Sequence, residues 1–191
     1  MLTVLVIDES RSRAGEICAG LALAGYQVAA ILAGSENLTA EVEKLQPDVI
    51  LIDTDSPSRD TLEHLAAMNK NMPRPVVIFT QEDGQATIRD AVKAGVSAYI
   101  VDGLDPKRIK PIVEVARARF EDTQALRREL DEVSQKLSDR KLVDKAKGVL
   151  MKARGIDEDA AYHAMRKLAM ERGQTMAKVA RDVIDMARVL L

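Results

Sequence analysis

Four residues that can bind or transfer an anionic group stand at the ends of short apolar runs. Asp8 and Glu9 follow VLVI, Asp53 closes ILID, and Thr80 closes VVIFT. Any one of these acids would pass as a solvated loop residue; their common placement at run ends argues for a site. Carboxylates gathered at one edge repel one another unless a cation neutralises them. Hard oxygen donors that leave positions open for water and phosphate favour Mg²⁺, which makes Asp8, Glu9 and Asp53 candidate metal ligands. Asp53 would then be the nucleophile that accepts a phosphoryl group, with Thr80 hydrogen-bonded to a phosphoryl oxygen. A second set lies near the C-terminus. Lys145, Lys147, Lys152, Tyr162, Arg166 and Lys178 combine positive charge with an aromatic ring, suited to phosphates and an unpaired base.

The elements that must position the acids read as five βα repeats. Thr3–Ile7, Gln27–Leu32, Val49–Ile52, Val76–Phe79 and Ala98–Val101 are Val- and Ile-rich strands. Helix periods fill 10–24, 36–46, 59–69, 83–94 and 105–122, with Ser10, Ser35 and Asp105 as N-cap candidates. Short connections between them predict an α/β doubly wound five-stranded parallel sheet, whose site lies at the carboxyl ends of the strands.

Charge divides the chain. Residues 1–139 hold 16 basic against 23 acidic side chains, a net of −7, and residues 140–191 hold 12 against 7, a net of +5. An acidic body with a basic tail suits a protein whose tail meets a polyanion. No apolar run approaches the roughly 20 residues that span a bilayer, so no membrane partner is expected. The first residues lack the basic segment of a signal peptide, and the single cysteine, Cys18, suits a reducing cytoplasm.

The motifs VLVIDES, ILIDTDSP, VVIFT and GVSAYIV resemble the receiver domains of two-component response regulators over residues 1–120. The resemblance implies a flavodoxin-like fold, phosphorylation of Asp53 and an aromatic switch at Tyr99. Receivers carry a lysine three residues after that aromatic, paired with the phosphoryl group. Here the position is Asp102, which reverses the charge and adds an acid beside the pocket. The switch set is therefore Thr80, Tyr99 and Asp102, and the domain is expected to act as a docking and dimerising platform more than as a phosphate sensor.

From Pro111 the chain reads as helix to about Ala153, with heptad positions Ile112, Ala116, Leu126, Leu130, Val133 and Leu137. Residues 111–140 are expected to form a parallel coiled coil joining two copies of the chain. Residues 141–191 form a small three-helix module with breaks at Gly155 and Gly173. AKGVLM, GIDEDAAYHAMRKLA and AKVARDVI resemble the ANTAR family of RNA-binding antitermination domains. The whole combination resembles NasT-type regulators of nitrate and nitrite assimilation. That resemblance implies a homodimer that binds hairpins in leader RNA and prevents termination, held inactive by a nitrate-sensing partner protein. An enzyme is not expected, because the acidic pocket lacks a lysine and a general base. The alternatives are a phosphorylation-activated DNA-binding regulator, against which no helix-turn-helix stands out, and a dimeric protein-binding adaptor.

Overall fold

Strands made of consecutive Val, Ile and Leu have no polar face, so they need helices on both sides. The computed structural model describes residues 1–9, 13–101 and 105–190. In it β1 (Thr3–Asp8), β2 (Gln27–Leu32), β3 (Val49–Asp53), β4 (Val76–Thr80) and β5 (Ala98–Val101) form one parallel sheet, ordered β2-β1-β3-β4-β5. Side chains alternate between two cores. Leu5 and Ile7 pack with Ile50, Ile52 and Ile78 beneath α2 (Leu38–Leu45), α3 (Arg59–Asn71) and α4 (Gln85–Lys93). Val4 and Val6 pack with Leu51, Val77 and Phe79 against α1 (Ala14–Leu23) and the first turns of α5 (Ile109–Arg154). Full burial of each such side chain contributes about 1.5–3 kcal/mol. Gly20 on α1 allows the close approach to α5, since a Cβ there would lie 2.6 Å from Ile109 Cδ1.

The chain leaves β1 in one direction to β2 and returns past it to β3, so the topological switch point lies between β1 and β3. Parallel register sets Asp8 abreast of Asp53 there.

Two expected helix starts are corrected. Ser35 is not a cap: α2 begins at Leu38 with Asn37 before it, and Ser35 is buried with its hydroxyl 3.0 Å from His64 Nδ1. Asp105 does not open α5. Its carboxylate accepts from the Lys107 amide at 3.0 Å and its carbonyl from Arg108 at 2.9 Å, which closes a turn ahead of Ile109. Ser10, the third candidate cap, lies outside the described residues.

The chain divides into two units, Met1–Gln124 and Ala125–Leu191, with the boundary inside the 46-residue α5. In the second unit α6 (Glu158–Arg172) starts at Asp157, whose carboxylate accepts from the Ala160 amide at 2.8 Å. It ends at Gly173, left-handed at φ 60°. α7 (Met176–Leu190) completes a core of Ala146, Met165, Ala169, Val179, Ala180 and Ile184. Among the described residues no helix is long and apolar enough to cross a membrane.

Candidate functional site

Asp8 and Asp53 end adjacent strands and both carboxylates are buried. A buried carboxylate is costly in its charged form. Burial accordingly pushes the Asp53 carboxyl above the usual carboxylate range, opposed by the Arg13 guanidinium and reinforced by Asp8. Arg13 stands at the start of α1, with Nε 2.8 Å from Asp53 Oδ2 and a terminal nitrogen a long 3.5 Å from Asp55 Oδ1. The Arg13–Asp53 contact is an ion pair without hydrogen-bond alignment, and Asp53 Oδ1 accepts no hydrogen bond among the described residues.

Glu9 does not join this pair. Its Oε1 accepts from the Thr61 hydroxyl at 2.8 Å, and Thr61 in turn lies 2.9 Å from Ser58 Oγ, the cap of α3. The structure thus brings together two of the three expected metal ligands. Among the described residues no group of three or more carboxylate, histidine or cysteine side chains is arranged to hold a metal ion. With a guanidinium on Asp53 and Glu9 bonded to Thr61, a divalent ion would have to displace Arg13 or share Asp53 with it.

Thr80 is fully buried, and its hydroxyl is already engaged. It donates to the Asp55 carbonyl at 2.9 Å and accepts from the Glu82 amide at 3.2 Å. Tyr99 is turned in toward the same loop, its hydroxyl donating to the Glu82 carbonyl at 2.9 Å; burial pushes that hydroxyl up from its ordinary value. Thr80 and Tyr99 therefore grip one segment, residues 80–82. Asp102, the third expected switch residue, lies outside the described residues.

In the second unit the expected basic contacts separate. Lys145 and Lys152 are exposed on one flank of α5, and Tyr162 and Arg166 are exposed one turn apart on α6. His163 meets Tyr162 edge-on at 6.0 Å. Lys178 is 3.1 Å from Asp182 Oδ1, an i,i+4 pair at the surface. Lys147 differs from the rest. It is half-buried, with Nζ 2.8 Å from Asp144 Oδ1 and 2.6 Å from Glu158 Oε1, so it joins α5 to the first turn of α6. Asp144 first and Glu158 second hold its ammonium above the ordinary lysine range.

Residues 4–114, more than half of the chain, match the response regulator receiver domain. The chain belongs to the response regulator receiver family. Residues 131–184 match the ANTAR domain, so the molecule is an ANTAR regulator with a receiver at its head. Transcriptional regulatory protein PdtaR of Mycobacterium tuberculosis is 29% identical over 161 residues, 84% of this chain and 78% of that protein. The nitrate regulatory protein of Klebsiella oxytoca is 36% identical over 75 residues, 39% of this chain and 19% of that protein. The fold matches the receiver of a modulated diguanylate cyclase from Desulfovibrio desulfuricans, with a TM-score of 0.56 at 20% identity over 63% of this chain and 98% of that one. It also matches CheY4 of Vibrio cholerae, with a TM-score of 0.53 at 23% identity over 60% and 97%.

Within the receiver, sequence reasoning passed over Arg13 and Thr61. Arg13 had a visible signal, since DESRSR places two arginines within five residues of Asp8. Thr61 had none, because its partner Glu9 is 52 residues away in the chain.

Proposed function

We propose that this protein is a cytoplasmic, non-enzymatic antiterminator. As a homodimer it binds paired hairpins in leader RNA through its ANTAR domain and keeps a downstream terminator from forming. The carrying observation is the exposure of Lys145, Lys152, Tyr162 and Arg166 on the small helical domain, together with the exposed Lys178 on α7. Lysine and arginine meet phosphates, and a tyrosine at the surface offers a face for an unpaired loop base.

Control by a sensor protein is the reading the receiver supports. Asp53 is the carboxylate a phosphodonor would reach, and Asp8 and Glu9 are the oxygens that would hold Mg²⁺ with it. Mg²⁺, typical of receivers, would neutralise charge between donor and acceptor. Here Arg13 stands on Asp53, Thr61 holds Glu9, and Asp102 replaces the family's lysine. A docked protein that reads the loop gripped by Thr80 and Tyr99 meets none of these obstacles. The partial likeness to the Klebsiella nitrate regulatory protein supports nitrate and nitrite assimilation as the controlled genes, and a nitrate-sensing inhibitor as the partner.

A gel-shift comparison tests the reading. Leader RNA with two hairpins should be retained, while duplex DNA of the same sequence and RNA with altered loops should not. Equal retention of all three would defeat it.

A further inference from the structure

We propose that Arg13 is a built-in counter-ion of Asp53, a guanidinium that takes the place beside this carboxylate that a divalent ion takes in a metal-dependent receiver. The proposal concerns the pocket alone, and it stands or falls independently of what the ANTAR domain binds.

Asp53 is fully buried, and a buried carboxylate keeps its charge only with a positive charge beside it. Among the described residues Arg13 is the cation that reaches Asp53, at 2.8 Å. Arg13 is the residue before α1, its carbonyl accepting from the Ile17 amide at 3.0 Å, and α1 packs through Ile17 and Leu21 into the core. Only 27% of the side chain remains exposed. Arg stays charged at any pH the protein meets and is less strongly hydrated than an ammonium, so it tolerates this site. Glu9 completes the picture. With Asp53 paired to Arg13, Glu9 is left to Thr61 and to the start of α3.

A divalent ion entering this pocket would sit a few ångströms from a fixed positive charge. Their repulsion in a poorly solvated site cancels up to about half of the attraction that two carboxylates offer. Metal therefore binds weakly while Arg13 holds Asp53, and the receiver should keep its structure without metal.

The test titrates MgCl₂ calorimetrically into the full chain and into Arg13→Gln, and follows thermal unfolding of both with Mg²⁺ or with EDTA. Removing a like charge beside the ion should raise Mg²⁺ affinity at least about tenfold. The melting point of the unaltered protein should be the same in Mg²⁺ and EDTA, and that of Arg13→Gln should rise with Mg²⁺. Equal affinities would overturn the proposal, as would a metal-dependent melting point for the unaltered protein. Arg13→Gln leaves a buried carboxylate without its cation, so Asp53→Asn is added as a second change. The double variant should recover the melting point that Arg13→Gln loses; strictly additive losses, or a double variant that does not fold, would also overturn it.

Discussion

At the scale of single residues, charge type says little until the partner is known. Lys145 and Lys147 are two positions apart, yet Lys145 faces solvent and Lys147 is held by Asp144 and Glu158. A lysine that joins two helices has no counter-ion to release on meeting RNA, whereas an exposed one does. Lys145→Ala should lower the slope of log affinity against log salt by about 1 and leave the melting point unchanged. Lys147→Ala should keep the slope and lower the melting point by a few degrees, because Glu158 loses its tie to α5. Quantitative RNA titrations at several salt concentrations, with thermal unfolding, separate the two. The run of lysines was legible in the sequence; which of them was already engaged was not, because Glu158 lies eleven residues from Lys147, across the break at Gly155. The acidic pocket shows the same limit. Asp8 and Asp53 could be placed from strand ends alone, but the turning of Glu9 toward Thr61 depends on where α3 starts.

At the scale of elements, the strands were legible almost to the residue because their runs are short, apolar and bounded by Gly, Pro and acids. Helix starts were less so. Ser35 has the right residue type for a cap, but its hydroxyl faces His64 across the α2–α3 layer, which no local pattern reveals. The heptad pattern of α5 also divides. Ala116 is buried in the receiver core and Ile112 packs against it, so the upstream half of the expected seam is already occupied. Leu126, Leu130, Val133 and Leu137 are each more than half exposed, the part of the stripe that the proposed homodimer would use. Replacing Leu130 and Leu137 by Asp should therefore yield a monomer in sedimentation without loss of helical signal. Affinity for an RNA with two loops should fall by about 100-fold or more, as two linked contacts become one, while affinity for a single loop stays constant. A variant that remains dimeric would place the interface elsewhere.

At the scale of the whole molecule, an acidic receiver and a basic ANTAR domain share one chain, which directs a polyanion to the tail and away from the body. The same division bears on control. A ligand shifts a switch only through unequal affinity for its two states, and a phosphodonor that Arg13 keeps from Asp53, as proposed, would have none. Acetyl phosphate with Mg²⁺ should change RNA affinity by less than about threefold, measured by gel shift beside a phosphoprotein gel. Stoichiometric, long-lived phosphorylation with a gain in RNA binding would return the trigger to Asp53. Every residue from 125 to 138 is helical and exposed within the single chain. Such a segment has only its own backbone to hold it, and an isolated helix of this length is marginal in water. Its amide protons should then exchange with deuterium quickly in dilute solution and slowly once two chains meet, so the segment reports its own state of assembly without any added label.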